Sequence, residues 1–442
     1  MELPLEGVRV VDFTVVLAGP YSTMVLGDLG AEVIRVESLN YWPVAVTRGV
    51  RARPSKALVM TLVPYTGGYP DREPGPRPWN RFPHSQAMNR NKLGMTVDFT
   101  RPEGVEVFKR LIKVSDAIVE NNSTEVMNKL GIGYEVLREV KPDIIMLRMQ
   151  AYGLSGPYAN YRAYGTDVEA MAGHSMLRGY ADTDASLLSA MYPANAAAAM
   201  HATFAVLAAL HYRNRTGKGQ LIEVAMAESV FTFLGQAILD YTLNGRVQKA
   251  MGNRGSSAIQ GCYRCLGEDN WVCITIATDA EWGGFCRGLG NPPWTREERF
   301  ADVVGRYRNH DELDKLIEAW TKTRDNFELF YVLQTRGVPA GPVEDNRDSH
   351  MDPQLNARNF FEVITGADIG TYRYPGFPWK FSETPCRVTH PPMMLGEDND
   401  YIYRKVIGMS EAEIAELSEK KIIGDLIYPW IGPIPEHIAR EL

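Results

Sequence analysis

The stretch Val8–Glu37, VRVVDFTVVLAGPYSTMVLGDLGAEVIRVE, decides how the chain folds. Val8–Phe13 is rich in valine and mostly apolar, the composition of a strand buried on both faces. Ala18-Gly19-Pro20 turns the chain into a helix, with Pro20 suited to its first position, where an amide would have no partner anyway. The helix Tyr21–Leu29 stops at Gly30, and Glu32–Val36 makes a second strand. Strand, helix and strand within about thirty residues form a βαβ unit of the doubly wound type. A dinucleotide site would demand GxGxxG at the first turn, and the chain reads AGPYST there. Glu37 stands where a ribose-binding acid would be, but one carboxylate after a strand is weak support, and an NAD-dependent dehydrogenase is disfavoured.

Outward from this unit, strands and helices keep alternating. Asn89-Arg90-Asn91-Lys92 leads into a strand at Gly94–Phe99, and Thr100 and Glu103 have capping-box spacing for a helix through Val114. Asp116–Glu120 and Ile144–Met149 read as further buried strands. An alanine-rich helix follows at Ala196–Leu210, with Asn195 placed to cap it. Glu223–Leu243 reads as one more helix. Cys262–Leu266 and Trp271–Ile276 can pair as a hairpin, Asp311–Arg324 is an amphipathic helix, and Ser410 and Glu413 have capping-box spacing for a last helix, Met409–Gly424. The prolines and glycines of 49–84 argue against regular structure in that stretch, which reads as an insertion.

The expected class is therefore α/β, with a Rossmann-like large domain and a smaller α+β domain. The large domain takes residues 1–225 and, after a linker helix at 226–249 and the small domain at 250–336, the returning segment 337–442. A chain of 442 residues exceeds one usual core, in keeping with two domains. A net charge of −7 argues against a nucleic-acid binder. Five cysteines, an odd number, do not make a disulfide framework and point to a reducing, cytoplasmic setting. Neither a signal peptide nor a membrane span is expected from the apolar runs.

Two constellations have ordinary readings beside functional ones. Cys262-Tyr263-Arg264-Cys265 is a lone CxxC with no second pair at zinc spacing, which argues against metal or redox use. Asp167, in YGTDVEAMAG, heads a short helix and serves either as its cap or as a nucleophile or acid/base.

Nearly the whole length resembles the family III CoA-transferases, which include formyl-CoA and carnitine CoA-transferases and α-methylacyl-CoA racemases. The matching stretches are Leu5–Glu37, Asn89–Gly104 (NRNKLGMTVDFTRPEG), Asp116–Asn121 (DAIVEN), Leu130–Tyr134, Ala151–Gly156, Ala205–Gln220, Gly337–Val343 and Leu395–Glu397. The resemblance implies a large domain built from both chain ends and two ring-shaped subunits interlocked like chain links. It places Ala18, Val97, Asp98, Asn121 and Lys129 near CoA, and makes Gly255, Ser256, Ser257 and Ala258 the loop over the substrate. It also implies covalent chemistry without a permanently bound cofactor or metal, the coenzyme A thioester being substrate. An aspartate attacks the thioester to give a mixed anhydride, CoA thiolate returns to give an aspartyl-CoA thioester, and the acceptor acid takes the CoA.

Three positions depart from that pattern. The nucleophilic aspartate falls at Asn195, the glycine run becomes Gly255-Ser256-Ser257-Ala258, and Asn122-Ser123-Thr124 replaces Phe-x-Pro. The racemases carry Gly-His-Asp where this chain has Gly165-Thr166-Asp167, so both of their proton carriers are missing. The expectation is a subunit of a heteromeric CoA-transferase, heterodimer or heterotetramer, whose paralogous partner supplies the aspartate. Such an arrangement resembles that of the paired subunits that move CoA from succinyl-CoA to benzylsuccinate or a related aryl-succinate in anaerobic aromatic degradation. A homomeric transferase or acyl-CoA isomerase using Asp167 and a non-catalytic scaffold are the alternatives.

Overall fold

The computed structural model describes residues 2–39, 48, 68–187, 192–255 and 258–424. Residues 49–67 of the expected insertion, and Ser256 and Ser257 of the expected substrate loop, lie outside the described residues. The chain forms two compact units. One takes the described residues of Met1–Ala172, Ala190–Gln236 and Asn359–Leu442, the other those of Gly173–Ser189 and Ala237–Arg358.

The first unit is built on six parallel strands: β1 (Arg9–Phe13), β2 (Glu32–Glu37), β3 (Lys92–Thr96), β4 (Ala117–Glu120), β5 (Ile145–Gln150) and β6 (Leu221–Ala225). Their order across the sheet is β3-β2-β1-β4-β5-β6, the doubly wound arrangement whose direction reverses between β1 and β4. The helix after β1, α1 (Ala18–Asp28), begins three residues earlier than Tyr21, so Pro20 is its third residue and not its first. The helix α2 (Pro102–Lys113) has no side-chain cap. Pro102 opens it, and Thr100 instead donates its amide and hydroxyl to the Asp98 carboxylate in a local turn.

The alanine-rich helix, α4, runs 24 residues, Pro193–Thr216, following the shorter helix α3 (Gly165–Met171). Pro193 sets its start, so Asn195 is its third residue and does not cap it; Gly217, at φ 69°, closes it in the left-handed conformation that glycine adopts freely. By length and composition this helix would also cross a membrane. Here its small residues Ala198, Ala199, Ala202 and Val206 are buried, and Thr203 donates to the backbone carbonyl of Ser22 in α1. Alanine is what allows that close approach. The stretch expected as one helix from Glu223 is divided: Leu221–Ala225 pairs with β5 as the sixth strand, and α5 (Met226–Phe231) and α6 (Gly235–Asn244) follow. Alternating exposure along β6 disguises it as part of an amphipathic helix.

Between residues 68 and 88 the prolines do not abolish order. Pro78 and Pro83 each open a short helix, where a missing amide costs nothing. Farther on, β10 (Phe361–Gly366) and β11 (Gly370–Pro375) form a hairpin. Ser410 caps a last helix, Glu411–Glu419, in a reciprocal box with Glu413, as their spacing predicts. Ile402, Tyr403, Leu417 and Ile422 from this returning segment share one core with Val11, Ile34, Met95 and Ile118 of the sheet.

The second unit has a three-stranded antiparallel sheet. β7 (Ile259–Arg264) and β8 (Trp271–Ile276) make the expected hairpin. Gly337–Val343, the start of the expected returning segment, supplies the third strand, β9 (Ala340–Pro342), paired with β8. Phe285, Phe300, Leu313, Ile317 and Leu333 pack against its buried face.

Candidate active site

In a doubly wound sheet, ligands bind where the chain leaves the carboxyl ends of the strands, beside the reversal of strand order. Two cavities of the first unit lie there. One, of about 250 Å³, is walled by Phe13 at the end of β1, Arg35 and Glu37 of β2, Phe99 beyond β3, and Val126 and Leu130 beyond β4. The rings of Phe13, Phe99 and Phe108 pack mutually at steep angles, with Phe13 and Phe99 centred 5.0 Å apart, and Phe13 and Phe99 give this cavity an apolar wall.

A buried ionic chain supports the cavity. Lys92, in the sequence stretch NRNK, donates to Asp12 at 2.8 Å, and both side chains are fully buried. Arg35 reaches Asp12 at 3.3 Å and Glu37 at 3.5 Å, and Arg48 closes on Glu37 at 2.6 Å. Burial alone would raise the Asp12 carboxyl, but the Lys92 and Arg35 cations outweigh it and hold it well below the usual range. Burial pushes the Lys92 ammonium down to about 8 against the pull of Asp12. Glu37, the weak ribose-acid candidate, thus lines the cavity but spends its oxygens on Arg48. The neighbouring Arg90 and Asn91 turn inward to Asp28, so the whole NRNK stretch is structural.

The second cavity, about 290 Å³, adjoins the first through Asn122, which lines both. Its other walls include Ser123, Gln150, Tyr161, Tyr164 and Asp167. Glu120 at the end of β4 organises it. The carboxylate is buried, accepts from Arg148 at 2.6 Å, Gln150 at 2.8 Å and the Asn122 amide at 2.8 Å, and so fixes the loop after β4. Asn121 bridges the loops after β1 and β4. It donates to the Val15 carbonyl at 2.9 Å and accepts from the Val15 amide at 2.7 Å.

The residues singled out from the sequence therefore occupy different settings. Asp98 lines the first cavity and Asn121 the second. Ala18 and Val97 are buried. Lys129 projects into solvent, 72% exposed, in an ion pair with Glu125 one helical turn back. Gly255 and Ala258 belong to the second unit, where Ala258 is buried just before β7. Asp167 is not the cap residue of α3: it is the third residue, and its Oδ2 accepts the Tyr164 amide at 2.9 Å.

Asn195 sits in the first turn of α4, 6% exposed, and its side chain makes no hydrogen bond to another described residue. The first residue of α3 is Gly165, and a Cβ there would lie 2.1 Å from Asn195 Nδ2, so only glycine allows the two helix starts to meet. Beside them Glu169, 1% exposed, accepts the Ala194 amide at 3.2 Å. Sequence reading passed over Glu169, Phe13, Phe99 and Arg35, and singled out Asn122 only as a departure from the family pattern. Position at or just beyond the carboxyl end of a parallel strand was the signal available for Phe13, Phe99 and Asn122. Arg35, inside β2, and Glu169 gave none, the latter because a mid-helix glutamate looks like a solvent-facing one.

Known proteins agree with this architecture. The sequence profile of CoA-transferase family III matches residues 5–399. Succinyl-CoA–D-citramalate CoA-transferase of Chloroflexus aurantiacus is 29% identical over 426 residues, 95% of this chain and 98% of that protein. The alpha and beta subunits of succinyl-CoA–L-malate CoA-transferase, also from Chloroflexus aurantiacus, are 29% and 28% identical over 423 and 424 residues. They cover 96% and 95% of this chain and 93% and 98% of their own lengths. A crystal structure of a CAIB/BAIF family protein from Brucella suis aligns with TM-score 0.77 at 28% identity, over 92% of this chain and 100% of that one. With its parallel six-stranded sheet and a profile match across most of its length, this chain belongs to CoA-transferase family III.

Proposed function

We propose that this chain is one subunit of a heteromeric CoA-transferase that moves CoA from succinyl-CoA to a succinate-type dicarboxylic acid, with benzylsuccinate or a related aryl-succinate as acceptor. The observation that carries the reading is Asn195. Its amide oxygen holds no full negative charge, and acylating it gives no anhydride from which CoA could be reloaded. The partner subunit, a paralogue with aspartate at this turn, supplies the nucleophile, in an interlocked pair or a pair of pairs. Relatives whose names pair succinyl-CoA with a dicarboxylate, one of them divided into alpha and beta subunits that both resemble this chain, support the same reading. The apolar cavity beside Phe13 and Phe99 takes the adenine of CoA, with Asp98 and Thr100 facing its ribose. The cavity beyond Asn122 takes the pantetheine end. A cytoplasmic location belongs to this proposal.

Asp167 is the rival carboxylate, since it lines the second cavity. Its oxygen is engaged by the Tyr164 amide, which favours a capping role. The test is CoA transfer from succinyl-CoA by the chain alone and co-expressed with its paralogue. Transfer is expected only from the pair. Asn195→Asp in the isolated chain is expected to form a hydroxylamine-sensitive acyl adduct that the unaltered chain does not form. Transfer by the isolated chain that Asp167→Ala abolishes would overturn the proposal.

A further inference from the structure

The hairpin of the second unit brings together two cysteines that are eleven positions apart in the chain and unrelated by any motif: Cys262 of β7 lies directly opposite Cys273 of β8. The type of pair follows from the hydrogen bonds around it. Cys265 donates its amide to the Asn270 carbonyl, so 265 and 270 are a hydrogen-bonded pair. Bonded and non-bonded pairs alternate along an antiparallel ladder, which makes 262 and 273 a non-bonded pair. The other edge of β8 gives the same answer. The Thr275 amide bonds the Pro339 carbonyl and the Val343 amide bonds the Trp271 carbonyl, so the backbone of the odd-numbered residues of β8 is turned to β9.

Non-bonded pairs bring Cα atoms to about 4.5 Å and set side chains closest, within the separation a disulfide spans. Both side chains are on the solvent face. Val272 and Ile274 are buried while Cys273 is exposed and Cys262 half-buried. The next non-bonded pair on that face is also in contact, with the Arg264 guanidinium 4.6 Å over the Trp271 ring. Cys265, the other cysteine of the CxxC stretch, is buried, and its thiol is directed to the Tyr263 carbonyl. The CxxC stretch visible in the sequence therefore does not bring its own two thiols onto one face.

We propose that Cys262 and Cys273 form a reversible cross-strand disulfide, a redox-modification site on the second unit. The oxidant is a low-molecular-weight disulfide of the glutathione class. Exposed Cys273 loses its proton and attacks one sulfur of the oxidant, forming a mixed disulfide and releasing one small thiolate. Cys262 then loses its proton and attacks the Cys273 sulfur, closing the cross-strand bond and expelling the second small thiolate. Two protein thiols are oxidised, and one small disulfide is reduced to two thiols. Burial first, and then the facing Cys273, push the Cys262 thiol up to about 12, which leaves the first attack to the exposed Cys273; the Cys262 attack that follows is favoured by its place directly opposite the mixed disulfide. Cys262 also lines a cavity of about 300 Å³ with Tyr180, Gly252, Arg254 and Asp314 of the same unit, so the bond forms beside the loop that leads into β7.

The experiment is thiol counting and peptide mapping of the full chain after exposure to oxidised glutathione. All five cysteines are free at the start. Titratable thiols in the denatured protein are expected to fall from five to three, with Cys262 and Cys273 in one linked peptide, and dithiothreitol is expected to restore five. Cys262→Ser is expected to stop at a stable glutathione adduct on Cys273, and Cys265→Ser to behave as the unaltered chain. Retention of all five thiols, or a linkage from Cys262 to Cys265, would overturn the proposal.

Discussion

At the scale of single residues, the site turns on what each carboxylate or amide is already doing. Asp167 holds the Tyr164 amide. Asp167→Asn is expected to cost roughly 1 kcal/mol of stability through the weakened cap, with the transfer rate of the assembled enzyme unchanged within twofold. Chemical denaturation and an activity assay on the same preparation separate the two effects. Lys92 and Asp12 make the opposite case, a pair whose value is entirely internal. Lys92→Met leaves the buried Asp12 carboxylate with Thr14, Thr23 and the more distant Arg35 cation, and is expected to destabilise by about 3–5 kcal/mol, whereas adding Asp12→Asn should recover part of that loss. The Asp12 carboxyl is depressed in the folded state, so its contribution is complete above the ordinary 3.8 and is lost as pH falls through the folded value. Urea midpoints between pH 5 and pH 2 should therefore decline more steeply for the unaltered protein than for Asp12→Asn.

At the scale of elements, legibility depended on whether local chemistry had a competitor. The Ser410–Glu413 box was readable because both partners lie within one turn, and Ser410→Ala should cost about 1 kcal/mol by thermal unfolding. The same spacing at Thr100 and Glu103 misled, since Asp98 competes for the Thr100 amide and Pro102 starts the helix. The sixth strand was hidden because its exposure alternates and a helix follows without a break. The start of α3 shows packing setting a residue choice. Gly165→Ala would drive a methyl onto the Asn195 amide, and a loss of about 1–3 kcal/mol is expected, together with a shifted Asn195 resonance in a side-chain amide spectrum.

For the whole molecule, the first unit is assembled from three chain segments, and its core needs the last of them. Ile402, Tyr403, Leu417 and Ile422 are buried against residues of the sheet from the first third of the chain. Truncation after Arg358 is expected to abolish cooperative unfolding of this unit in calorimetry, because it strips apolar cover from β1, β2 and β3. Calorimetric titration of the full chain with CoA tests the cavity at the reversal of strand order. Phe13→Ala is expected to weaken binding at least tenfold, by removing one of the two rings in the pocket's apolar wall.

The order of residues by itself determined the parallel α/β core, the hairpin of the second unit, the family resemblance and the amide at position 195. Those features rest on local composition, on periodicity and on side-chain identity, which a chain carries wherever it goes. Only the tertiary structure decided that NRNK turns inward to Asp12 and Asp28, that Asn122 lies in the walls of two cavities, that Glu169 touches the start of α4, and that Cys262 faces Cys273 and not its motif partner. Each of these is a contact between residues far apart in the chain, fixed by strand register and helix packing, and neither quantity is written in any short stretch of sequence.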